Sequence, residues 1–179
     1  MKIEYFDIID STQKYALELI NNTEIYNNFT IIANKQTNGV GRNGAKWIDG
    51  LGNIMMSCVF IINQNVHEKI KDNFSVIVGE MILQSILSIC HDKLKFSIKH
   101  PNDLMINGNK FGGIMINFDK KNNIHYCIIG IGINLISSPV DIANPAYEII
   151  NLVQEKIIIK KEELINIIIS DLSNLLLSY

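Results

Sequence analysis

Cysteine, proline and tryptophan are scarce in this 179-residue chain, which has three cysteines, three prolines and one tryptophan. Cys58, Cys90 and Cys127 each lie in an apolar run, and none forms a CxxC or a Cys/His pair at zinc spacing. That argues against a disulfide framework or a zinc site and leaves three buried thiols in a reducing compartment as the expectation. An excess of charge is lacking too: the net charge is −2 and 19% of residues are charged. A nucleic-acid binder would show a basic balance or stripe, whereas Lys120-Lys121 and Lys160-Lys161 read as solvated surface. No segment has the uninterrupted apolar length of a membrane span, and MKIEYFDIID carries charges where a secretory signal needs an apolar core. A cytoplasmic chain with no nucleic-acid or membrane partner is therefore expected. A hydrophobic content of 47% suffices for a real core, and no repeat or linker divides residues 1–179, so one domain is expected.

Periodicity supplies the elements. KIEYFDII and FTIIANKQ read as strands, and TQKYALELI between them reads as a helix capped by Asp10 or Ser11. NIMMSCVFII reads as a strand buried on both faces. HEKIKDNFSVIVGEMILQSILSIC reads as one long helix, with Ile70, Phe74, Ile77, Val78, Met81 and Ile82 on its apolar stripe. SIKHPNDLMI and KFGGIMI read as two strands joined at Asn107-Gly108, a dipeptide that tolerates positive φ at both residues. HYCIIGIGINLI is a further strand, and KKEELINIIISDLSNLLL an amphipathic helix. Strands and helices alternate irregularly, which predicts an α+β fold on one sheet with helices packed on a face.

Three places depart from what a core requires. TNGVGRNGAKWIDGLGN is long and polar for a connector, as binding loops often are. Its Gly39-Val40-Gly41-Arg42-Asn43-Gly44 matches GxGxxG, but no helix follows and no GK[ST] is present, so neither a Rossmann fingerprint nor a P-loop fits. Glycines there let backbone N–H groups approach an anion, Arg42 adds a fixed cation, and Trp47 offers a stacking face. In the hairpin, Lys110 before Gly112-Gly113 could neutralise a phosphate or polarise a carboxylate, and Asp103 beside Asn102 could hold Mg²⁺. Gly130 and Gly132 inside a strand mark a bulge or a close approach to the backbone. Each place also has a plain structural reading: a helix cap at Ser11-Thr12, a surface loop, a solvated turn. Together they point to nucleotide chemistry on another scaffold.

These stretches, in order, resemble the biotin protein ligases. Asp10-Ser11-Thr12 is similar to the family's DST start, and the run from Gln36 to Trp47 to its QTAGRGRRGRxW loop. Lys99-His100-Pro101-Asn102-Asp103 resembles KWPND, Lys110-Phe111-Gly112-Gly113-Ile114 resembles KLGGIL, and Gly130-Ile131-Gly132-Ile133-Asn134 resembles GIGIN. The resemblance implies a mixed, mostly antiparallel sheet of the class II aminoacyl-tRNA synthetase/biotin synthetase kind. It implies an ATP- and Mg²⁺-dependent ligase that forms biotinyl-5′-AMP and passes biotin to a lysine of a biotin carboxyl carrier protein domain. By the same resemblance, Ser11, Thr12 and Gln36 would bond the biotin ring, and Gly39, Gly41, Gly113, Gly130 and Gly132 would allow backbone approach. Arg42 would lie over the biotin carboxylate and the phosphate, and Trp47 would stack on adenine. Asn102, Asp103 and Asn134 would face the nucleotide and metal, and Lys110, with Arg42 and Asp103, would serve the chemical steps.

There are departures: Val40, Asn43 and Ala45 replace basic residues, His100 replaces a tryptophan and Asn117 a glutamate. An N-terminal winged helix-turn-helix and a C-terminal SH3-like barrel are expected to be missing or, for the barrel, vestigial, which leaves no repressor role. A homodimer through a sheet edge follows from family analogy alone. The alternatives are a lipoate or octanoyl ligase or transferase of similar fold, and an inactive biotin-binding module.

Overall fold

The computed structural model describes residues 1–48, 50–90, 95–139 and 148–179, so Asp49 of the glycine-rich stretch lies outside the described residues. The order of elements is β1 (Lys2–Ile9), α1 (Thr12–Asn22), β2 (Phe29–Gln36), β3 (Ile54–Ile62), α2 (Gln64–Ile70), α3 (Phe74–Ile89), β4 (Phe96–Lys99), β5 (Asp103–Ile106), β6 (Asn109–Lys121), β7 (Ile124–Ile133) and α4 (Lys161–Leu177). The strands form one seven-stranded sheet in the order β1-β2-β3-β7-β6-β5-β4. Among the described strands only β1 and β2 run parallel, with α1 as the crossover between them. No single helix among the described residues is long and apolar enough to cross a membrane.

The mixed, mostly antiparallel sheet is the one the sequence implies, but its covering differs. The larger core packs Ile54, Met56, Cys58 and Phe60 of β3 against α3 and α4 on one face. The opposite face is covered by α1, whose Ala16 and Ile20 pack on Ile31, Val59, Tyr126 and Ile128. β3 and β7 are apolar on both faces, so each face must be shielded from water. Because α1 is short, it leaves part of its face open.

Two elements that read as continuous are broken. The long helix is split into α2 and α3, which meet at an angle of 81°. Ile70 and Phe74, both 1% exposed, stand four residues apart and so imitate an unbroken stripe. Asn63 caps α2 by accepting from Val66 N at 2.9 Å. SIKHPNDLMI likewise holds two antiparallel strands, β4 and β5, with His100 in the turn between them rather than in a strand. The next turn is as expected: Asn107 and Gly108 have φ of 50° and 86°.

The pairing of β5 with β6 contains a slip. Leu104 pairs with Gly112, but Met105 pairs with Lys110, so Phe111 is an extra residue. Strict alternation would place Lys110 and Gly112 on one face and Phe111 and Gly113 on the other. The slip sends Phe111 fully into the larger core beside Phe96 and turns Lys110 to the α1 face.

A second anchor is Asn53, 1% exposed, just before β3. Its Oδ1 accepts from three consecutive backbone N–H groups, those of Leu135, Ile136 and Ser137, at 3.0, 3.2 and 3.2 Å. Its Nδ2 donates to Ser137 O at 2.9 Å. Asn53→Ala would leave these buried groups unpaired and is predicted to cost about 3 kcal/mol or more of stability, read as the loss in urea unfolding; a loss within experimental error would refute the anchor.

The thiols differ from the expectation in one case, since Cys58 and Cys127 are buried but Cys90 is only half-buried. Burial pushes Cys58 up from 9.0 to about 12, against a weaker downward pull from the Thr30 hydroxyl, and it raises Cys127 as well. A folded value above the unfolded one adds stability below pH 9.0 that is lost as pH climbs from there toward 12. In the native chain near pH ~8 a thiol reagent is predicted to modify Cys90 and spare the other two; rapid labelling of all three without denaturant would contradict this.

Candidate functional site

On the face that α1 leaves partly open lies a cleft of about 290 Å³. Its floor is a bare patch of sheet. Gly113 of β6 stands opposite Gly132 of β7, and Gly130 stands opposite both Met115 and Ser57. Directly opposed residues share a face, so this part of the floor carries little side chain.

The protein's own side chains make the close approaches to these glycines. A Cβ on Gly132 would lie 2.5 Å from Trp47 Cε2, and one on Gly113 would lie 3.2 Å from Trp47 Cζ3. A Cβ on Gly130 would lie 2.5 Å from Gln13 Oε1. The indole therefore lies flat on the floor, with Lys110 Nζ 5.8 Å from its ring centroid, within cation–π range. Its Nε1 is buried and has no hydrogen-bond partner among the described residues.

One end of the cleft is a wall of neutral polar groups. Ser11 caps α1, its hydroxyl accepting from Lys14 N at 3.5 Å. Gln36 Oε1 accepts from Thr12 N at 2.9 Å and lies 3.2 Å from Thr12 Oγ1. Ser57 Oγ lies 2.9 Å from Thr12 Oγ1 and 2.8 Å from Gln13 Oε1. Ser11, Thr12, Gln13 and Ser57 are each at most 4% exposed, so their unused valences are of use only to something in the cleft.

The other end is charged. Asp103 begins β5 directly opposite Gly113, and the slip brings Lys110 Nζ to 2.6 Å from Asp103 Oδ1. Arg42 sits in a short 3-10 turn, Arg42–Gly44, inside the glycine-rich stretch. That stretch folds back on itself: Trp47 N donates to Gly39 O, Gly41 N to Ala45 O and Ala45 N to Arg42 O, at 2.9, 2.7 and 3.0 Å. Arg42 Nη1 donates to Asn102 Oδ1 at 3.0 Å, and Asn102 Nδ2 donates across to Ile114 O at 3.1 Å. Among the described residues, Arg42, Lys46 and Lys110 thus face a single carboxylate, Asp103, around the cleft. That balance of charge favours anions in the cleft.

Most residues singled out from the sequence meet here: Ser11, Thr12, Gln36, Gly41, Arg42, Trp47, Asn102, Asp103, Lys110, Gly113, Gly130 and Gly132 line the cleft. Two do not. Gly39 gives room for backbone pairing, since its Cβ would lie 2.7 Å from Trp47 O. Asn134 is 2% exposed, and its amide is taken up by Ile150 O at 3.1 Å and Asn53 Nδ2 at 3.4 Å. Gln13, Lys46 and Ser57 also line the cleft and were not singled out. Ser57 is a lone hydroxyl in the apolar run NIMMSCVFII, which was its one signal.

Gly132→Ala should lift Trp47 off the floor. Trp47 is the chain's only tryptophan, so the variant is predicted to show a red-shifted emission; an unshifted spectrum would place the indole elsewhere.

The profile of the biotin/lipoate A/B protein ligase family matches residues 5–134. The bifunctional ligase/repressor BirA of Bacillus subtilis is 33% identical over 139 residues, covering 76% of this chain and 41% of that protein. The biotin–[acetyl-CoA-carboxylase] ligase of Paracoccus denitrificans is 28% identical over 132 residues, covering 73% of this chain and 53% of that one. The crystal structure of the biotin protein ligase from Leishmania major in complex with biotin superimposes with a TM-score of 0.76 at 25% identity, over 96% of this chain and 72% of that one. The chain thus spans about half or less of the length of these curated relatives.

Proposed function

The chain belongs to the biotin/lipoate A/B protein ligase family, and on that premise we propose that it joins biotin to a biotin carboxyl carrier protein domain at the expense of ATP. In the first step a biotin carboxylate oxygen attacks the α-phosphorus of ATP, the bond to the β-phosphate oxygen breaks, and pyrophosphate leaves. In the second, a carrier lysine amine attacks the carbonyl carbon of biotinyl-5′-AMP, AMP leaves with the bonding pair, and the amine loses a proton.

The observation that carries this reading is the Lys110–Asp103 pair, 2.6 Å apart and only 19% and 14% exposed, between the neutral wall and the loop bearing Arg42. The first step brings two anions together, a barrier that fixed cations lower most in a dry site. Lys110 would leave Asp103 for the carboxylate and α-phosphate, and Arg42 would close over them from the loop. Asp103 orients Lys110 beforehand. The neutral wall suits the ring: its buried hydroxyls and amides match the N–H and C=O groups of a cyclic urea. A dithiolane or an alkyl chain would leave them unpaired, at a cost that discriminates strongly.

Mg²⁺ fits this donor set in a limited way. Among the described residues, Asp103 is the one carboxylate that lines the cleft, and no group of three or more His, Cys, Asp or Glu could hold a metal ion. Magnesium carried on ATP phosphates needs only one or two protein carboxylates. Asp103 would hold it, with Asn102 beside it, and the ion would supply charge neutralisation at the phosphates.

Lys110→Ala is predicted to fold, since the side chain is not in the core, and to slow biotin-dependent pyrophosphate release by at least about a hundredfold. Release at the parental rate would remove Lys110 from the chemistry.

A further inference from the structure

The neutral wall has a direction, and a residue outside the cleft sets it. Gln13 Nε2 lies 2.9 Å from Asn117 Oδ1 and 3.4 Å from Ile128 O. The Ile128 carbonyl can only accept, so the Gln13 nitrogen belongs on that side and Oε1 faces Ser57. Ser57 has a single hydroxyl proton, and Gln13 Oε1, 2.8 Å away, takes it. Ser57 then has no proton to give to Thr12. The proton of Thr12 points inward, to Ser57 Oγ at 2.9 Å or to Gln36 Oε1 at 3.2 Å, and its lone pairs are left for the cleft. Ser11 accepts from Lys14 N, and no described hydrogen bond takes its proton. The wall thus offers an acceptor at Thr12 beside a donor at Ser11.

We propose that the buried Gln13–Asn117 amide pair is a specificity determinant that fixes this polarity, and so selects a ring presenting N–H next to C=O. The inference rests on the biotin reading above and adds positioning residues to it. Asn117 lies on the same face of the sheet as Gly113 and Met115, two steps further along β6 and opposite Ile128. It acts on the ligand only through Gln13 and Ser57. Without it, the Gln13 amide keeps only the longer contact to Ile128 and can turn over. Ser57 would then accept from Nε2 and donate to Thr12, freeing the Thr12 proton to turn outward and reversing the wall. Gly130 serves the same device, because a side chain there would occupy the place of Gln13 Oε1.

The test compares calorimetric affinities for biotin and for 2-iminobiotin, in which a nitrogen donor replaces the ring carbonyl acceptor. The intact chain should prefer biotin. Asn117→Leu should cut that preference about tenfold, equivalent to about 1.4 kcal/mol, and Asn117→Asp, which keeps the acceptor, should retain it. Gln13→Met has similar reach and no amide, so it should behave as Asn117→Leu does and covers the case in which that variant fails to fold. If the variants lose affinity for both ligands in equal proportion, the pair is merely structural and the proposal is overturned. An intact chain that binds no biotin would overturn the biotin reading itself, and this proposal with it.

Discussion

A slip of one residue between β5 and β6 is the constraint on which the charged end of the cleft depends. A regular ladder through Phe111 would point the Lys110 ammonium into the larger core and the Phe111 ring into the cleft. Either error would be costly, because an unpaired ammonium in an apolar core and a solvated phenyl ring both work against folding. The slip corrects both at once. It buries Phe111 completely and sets Lys110 2.6 Å from Asp103. The backbone of Lys110 is held as well, pairing with the segment beyond the sheet through Lys110 N to Glu148 O and Ile150 N to Lys110 O, each 2.9 Å. Core packing and reactive geometry therefore support each other at this point.

The rest of the cleft follows from what the sheet omits. Glycines at 113, 130 and 132 clear a floor in strands that are otherwise rich in isoleucine, and Trp47 and Gln13 move into the cleared space. The result has an ordered polarity. Hydroxyls and amides without charge stand at the α1 end, where a neutral ring would be read. Cations gather at the loop end, where carboxylate and phosphate would meet. Arg42 is the chain's single arginine, and its bond to Asn102 ties the loop to the β4–β5 turn and hence to the strand that carries Asp103.

Much of this was legible in the sequence, for identifiable reasons. β1, β2 and α4 have clear periods and strong boundaries. Asn107-Gly108 has the one chemistry that suits its turn. The polar clusters at Ser11-Thr12, Gln36 to Trp47 and Asn102-Asp103 stood out because they interrupt apolar patterns. Other features had no local signal. The break between α2 and α3 is hidden because Ile70 and Phe74 keep helical spacing across it. The slip at Phe111 is hidden because alternation in KFGGIMI looks regular. Gln13 reads as an ordinary residue of a first helical turn, and its burial depends on Gly130 and Asn117, more than a hundred positions away in the chain. Asn134 shows the reverse case: a polar residue ending a glycine-rich strand looks like a ligand contact, yet its amide ties β7 to Ile150 and Asn53.

The most direct test of the central claim is to incubate the purified chain with ATP, Mg²⁺, biotin and a biotin carboxyl carrier domain, with lipoate as a competing acid, and to probe the carrier with avidin. Biotin on the carrier lysine, dependent on ATP and undiminished by lipoate, is the predicted result. Lipoate on the carrier in place of biotin, or neither biotin transfer nor biotin-dependent pyrophosphate release, would contradict it.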